Sequence, residues 1–107
     1  KNIIKTISLR HQLKLCYKFI SNKGFQDELV LGPPSNESMK SLKKLNYYDI
    51  KEITAALEYV DFNGVRFKIN TSIPLPSNDI DPDFYLIKYI ICNRFKNISL
   101  LCNKLDV

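Results

Sequence analysis

The chain has no tryptophan, one histidine and three glycines among its 107 residues. His11 alone leaves general acid-base and nucleophilic chemistry without the residue it most often recruits and without a partner for it. Gly24, Gly32 and Gly64 are too few and too scattered to build a loop that cradles phosphate, so nucleotide-dependent catalysis is not expected. No apolar run reaches the length of about 20 residues that a membrane-spanning helix takes. Acidic side chains are missing from the whole stretch before Asp27, where all six charges are basic: Lys1, Lys5, Arg10, Lys14, Lys18 and Lys23.

Metal and redox sites are equally short of material. Cys16, Cys92 and Cys102 cannot all pair within one chain, and none stands at C-x-x-C spacing. Together with His11 they lack the spacing of a structural zinc site. Asp79, Asp81 and Asp83 fall at the spacing of the first ligands of a calcium loop, but Phe84 stands where that loop needs glycine and Ile90 where it needs a bidentate glutamate. No cofactor and no metal is therefore expected, and the chain is not expected to be an enzyme.

What is present describes an ordinary globular composition: 45% hydrophobic, 25% charged, with a formal net charge of +5. These values suit one domain spanning residues 1–107, large enough to bury a core without staples, and a start at Lys1 suggests a piece excised from a longer protein. The cysteine usage favours a reducing, intracellular setting (cytoplasm or nucleus). Three Asn-x-Ser/Thr triplets at Asn36, Asn70 and Asn97 speak for secretion instead, where each is a glycan acceptor; about one is expected by chance.

Periodicity gives the elements. Leu9, Leu13, Cys16 and Ile20 step by three and four, which predicts a helix from Ile3 to about Asn22, with Arg10, Lys14 and Lys18 along another face. Leu29-Val30-Leu31, closed by Gly32-Pro33-Pro34, reads as a short strand and a rigid turn. Ser35 caps a helix over 36–45, with Glu37 in its first turn and Lys43 and Lys44 in its last. Asp49 and Glu52 form a capping-box pair ahead of Ile50, Ile53, Leu57 and Val60, and Ala55 and Ala56 strengthen a helix over 49–60.

Asn63-Gly64 then supplies a turn, and Val65, Phe67 and Ile69 alternate with polar neighbours as a strand does. Residues 71–81 carry Pro74 and Pro76 and read as loop or sheet edge. Asp81 and Pro82 open a last helix of more than twenty residues through Phe84, Ile87, Ile91, Phe95, Ile98, Cys102 and Leu105. A strand from Phe84 to Ile91 competes, because Tyr85, Ile87, Tyr89 and Ile91 also alternate; the three-four spacing past Arg94 favours the helix.

The expected fold is thus α+β: a helix-rich single domain with a small antiparallel sheet in the order α-β-α-α-β-α, ending in a long C-terminal helix. A winged-helix-like arrangement is the alternative, with 49–60 as recognition helix. The surplus apolar strip on the last helix points to non-enzymatic protein-protein interaction or oligomerisation, with another protein or a second copy as partner. Its contact residues would be Leu86, Tyr89, Ile90 and Leu101, joined by Tyr47 and Tyr48, since tyrosine suits interface centres. In the alternative, Arg10, Lys14, Lys18, Lys43 and Lys44 would touch the phosphates of a nucleic acid.

Overall fold

The computed structural model describes residues 5–8, 29–45, 52–62, 64–94 and 97–105. Its elements, in chain order, are β1 (Lys5–Ser8), β2 (Leu29–Leu31), α1 (Asn36–Lys44), β3 (Ile53–Leu57), β4 (Tyr59–Phe62), β5 (Val65–Lys68), β6 (Ser72–Leu75), β7 (Asp83–Asn93) and β8 (Ile98–Lys104). Of the described residues 58% lie in strands and 14% are helical, so the chain is mostly β and not helix-rich.

Two antiparallel sheets carry the fold. In the larger one β8 lies between β1 and β7, and the far edge of β7 is shared end to end by β6 and β3. The smaller sheet has the order β2-β4-β5. Val60, Phe62 and Phe67 of the small sheet pack on Ile87, Ile90, Leu100 and Cys102 of the large one, forming the main core. On the opposite face Met39 and Leu42 of α1 meet Ile53, Ala56, Ile91 and Leu101. The result is three layers, sheet on sheet on helix, each burying the apolar face of its neighbour. At about 1.5–3 kcal/mol per fully buried large side chain, Phe62, Phe67, Ile87 and Leu100 are leading contributors.

The long C-terminal helix does not exist; its residues form the β7–β8 hairpin. The physical reason is two-sided burial. Tyr85, Ile87, Ile90 and Cys92 serve the inter-sheet core, while Tyr89 and Ile91 serve the layer beneath α1. When both faces of a strand are apolar, strict alternation disappears and three-four spacings arise in the same run. The phase switch between Ile87 and Tyr89 adds to this, because Lys88 is an extra residue opposite β8.

The helix expected over 49–60 is likewise absent from the described part of that stretch, which holds β3 and β4 instead. Ala55 and Ala56 favour a helix only in isolation. In the fold their small side chains are used for close packing, Ala56 directly beneath α1, and tertiary contacts override propensity. With that helix goes the recognition element of the winged-helix alternative. At the N-terminus, Lys5–Ser8 form a strand beside β8, and the rest of the helix expected there lies outside the described residues.

Residues 71–81 also contain more order than expected, for Ser72–Leu75 pair with β7. Pro74 is accommodated because β6 borders the sheet, where a missing N–H leaves no ladder bond unmade. Asp81 and Pro82 lead into β7 and start no helix.

The expected β2 and β5 are present, and α1 has the Ser35 cap, the acidic first turn and the basic last turn that local chemistry called for. Gly64 has φ of 85°, as the turn before β5 requires.

Glu58 alone separates β3 from β4, so the chain passes from one sheet to the other within a single residue. That corner is held by an antiparallel partner on one side: Gly32 N–H donates to Tyr59 O at 3.0 Å, Glu58 N–H to Pro33 O at 2.9 Å and Ser35 N–H to Ala56 O at 2.7 Å. On the other side Ile69 N–H donates to Glu58 O at 3.1 Å. The segment from Leu29 to Ser35 therefore follows the bend and delivers α1 onto the face of the large sheet.

Candidate functional surface

The β6–β7 end of the large sheet exposes apolar side chains in a row. Pro74 lies opposite Phe84, and Leu105 N–H donates to Phe84 O at 2.8 Å, so the three residues stand side by side across neighbouring chain segments. Phe84 is 38% and Leu105 36% exposed. They share the face that α1 covers farther along. Leu101 beneath α1 is four positions before Leu105, about 13 Å at the rise of a strand. Half-buried Leu86, opposite Asn103, fills the next row inward.

The loop joining β6 to β7 follows this row in the chain and carries Ile80, which is fully exposed. Its backbone is gathered by one hydroxyl. Ser77 Oγ accepts from Asp79 N–H at 3.1 Å and donates to Asp81 O at 2.6 Å, which fixes the path on either side of Ile80. Asp79 and Asp81 are exposed, and neither carboxylate has an ion pair among the described residues. Asp83 is 3.6 Å from Lys104 Nζ. An apolar tip with acidic flanks on a braced turn is suited to insertion into a partner.

Two other polar features stand elsewhere. On the outer face of the small sheet the Arg66 guanidinium lies over the Tyr59 ring, 3.9 Å from its centre, and donates from Nε to Asp61 Oδ1 at 2.7 Å and from a terminal nitrogen to Oδ2 at 3.1 Å. These hydrogen bonds hold the Asp61 carboxyl below its ordinary value against the opposing effect of burial, with the Arg66 charge acting in the same direction as the bonds. A cleft of about 660 Å³ opens at the start of α1, lined by Asn36, Glu37, Glu58, Lys68, Asn70 and Thr71 among others. Its mixture of two carboxylates, one ammonium and neutral groups favours no ligand charge.

The expected contact residues fare unequally. Leu86 and Tyr89 are half-buried, whereas Ile90 and Leu101 are fully buried and have no area to offer a partner. Tyr47 and Tyr48 lie outside the described residues. Lys43 and Lys44 are exposed at the end of α1, while Arg10, Lys14 and Lys18 lie outside the described residues, as do His11 and Cys16. Cys92 and Cys102 are buried in the inter-sheet core. Among the described residues no cluster of His, Cys, Asp and Glu has the arrangement of a metal site, and no helix is long and apolar enough to cross a membrane.

Phe84, Leu105 and Ile80 were not among the contact residues the sequence suggests. The first two were absorbed into the apparent helical stripe. For Ile80 a signal exists: one isoleucine between Asp79 and Asp81, in a loop bracketed by Pro76 and Pro82, has no apolar neighbour in sequence to pack with.

Comparison with known protein families, with curated proteins and with solved structures finds no match to this chain.

Proposed function

We propose that this chain is a non-enzymatic binding module that engages a protein surface, another chain or a second copy, through the β6–β7 end of its large sheet. The observation that supports this most is Ile80, fully exposed on a turn braced by Ser77, next to the exposed row of Pro74, Phe84 and Leu105. A hydrophobic anchor held in place before contact loses little conformational freedom on binding, which is the property of residues that dominate interfaces. Leu86 extends the contact inward, and half-buried Tyr89 marks where α1 takes over the face.

The reading includes an intracellular setting, because thiols used as small core side chains at Cys92 and Cys102 keep best where reductants prevail.

The test is capture of bound protein from the producing cells by the tagged chain and by an Ile80→Asp, Phe84→Ser double variant. The reading expects a specific bound protein, itself or another, that the variant loses while its stability changes little at the Ile80 position, within about 0.5 kcal/mol. Identical bound sets for both proteins would sink it.

A further inference from the structure

We infer that the partner of the Ile80 loop is a second copy of this chain, which receives it at the C-terminal end of α1. The inference rests on the binding reading above and adds the identity of the occupant.

The argument is one of complementarity. Leu45, the residue that closes α1, is 52% exposed. Lys43 and Lys44 precede it, both exposed, and Lys40 stands one turn earlier; none of the three has an ion pair among the described residues. Leu45 is therefore an apolar spot with a basic rim, and Ile80 an apolar tip with the acidic flanks Asp79 and Asp81. A chain with a net charge of +5 repels its own copies in general, so association requires a local meeting of opposite signs. The carboxylates of Asp79 and Asp81 and the ammonium groups of Lys43 and Lys44, without ion pairs among the described residues, supply one.

Placement favours the same arrangement. The Ile80 loop leads into β7 at Asp83, and α1 packs over Ile91 near the other end of that strand, roughly 27 Å away at about 3.4 Å per residue. The two patches lie on different elements, the loop before β7 and the end of α1, and share no residue. Each copy can use both at once. A contact between unlike patches is heterologous, so copies add head to tail. With small rims and one apolar pair the contact is weak and salt-sensitive.

Sedimentation of the full chain over a concentration series, at low and moderate salt, tests this. Association is expected to grow with concentration without stopping at a dimer, and to weaken with salt. Asp79→Lys with Asp81→Lys, or Lys43→Glu with Lys44→Glu, should each weaken it by about tenfold or more, and mixing the two variants in equal amounts should restore association, as alternating copies joined by the native pairing at one contact and the reversed pairing at the next. A chain that stays monomeric throughout, or association that survives either reversal, overturns the inference. If the purified chain is monomeric while Ile80-dependent capture of a different protein persists, only the identity of the partner falls. If the Ile80→Asp, Phe84→Ser variant changes neither sedimentation nor capture, the binding reading falls with it.

Discussion

A Cβ placed on Gly32 would sit 2.5 Å from Tyr59 O and 2.8 Å from two carbons of the Tyr59 ring. The strand that lines the sheet-to-sheet bend therefore approaches β4 closer than any side chain permits, and the tyrosine ring lies across the gap. The same ring lies beneath the Arg66 guanidinium, which links the bend to the Arg66–Asp61 pair.

Gly32→Ala is expected to destabilise the protein by about 1–3 kcal/mol, the usual cost of forcing atoms into a packed site. The nearest atom belongs to the backbone, which cannot rotate aside as a flexible side chain would. Urea denaturation should show a lower midpoint with an unchanged slope. A stability equal to that of the parent chain would mean the close approach is not maintained.

The Asp61 carboxyl, lowered from its ordinary 3.8 by the hydrogen bonds from Arg66, links this surface to pH. Its folded-state value lies below its unfolded one, so the pair's contribution to stability is complete above that ordinary value and is lost as pH falls through the lower folded value. In Arg66→Gln the carboxyl titration followed by NMR should move upward to the ordinary range. The stability gap between parent and variant should also close in acid. A titration midpoint unmoved by the substitution would contradict the pairing.

Ser35 holds the start of α1 in two ways. Its oxygen accepts from Ser38 N–H at 3.2 Å, and its hydroxyl donates to Ser38 Oγ at 2.9 Å, with both residues buried. Ser35→Ala is expected to cost about 1–2 kcal/mol, since it removes the cap and leaves a buried hydroxyl without its donor. Hydrogen exchange should quicken at the first amides of α1 before it does in the large sheet. Equal exchange at both places would show that the helix start is secured by other contacts.

The parts of the fold legible in sequence are those governed by neighbours a few residues apart. Ser35, Glu37, Lys43 and Lys44 mark α1 because capping and dipole effects act within one turn, and Val65 to Lys68 show their alternation because only one face of β5 is buried. The parts that were not legible depend on what approaches from elsewhere. Tyr89 and Ile91 are apolar because α1 lies over them, and Ile87 and Ile90 because the small sheet lies under them, so the run looks helical until both covering layers are known. Ala55 and Ala56 mislead in the same way, their size being fitted to a neighbouring layer. For the candidate surface, Leu86 keeps part of its area exposed while Ile90 and Leu101 are covered by their own molecule, and the sequence shows such greasy positions without showing which are already covered.

The extra residue at Lys88 divides β7 into two stretches of opposite phase, one zipped to β6 and the other to β3. Losing that one position would turn nothing over: Tyr89 would follow Ile87 directly, one on each face, with Ile90 and Cys92 still toward the small sheet and Ile91 still beneath the helix. A frame-preserving deletion of a single codon there removes only the spare residue, whereas the same deletion within β8, whose pairing with β1 has no spare residue, would reverse the faces of everything beyond it. The strand keeps one residue of slack at this point.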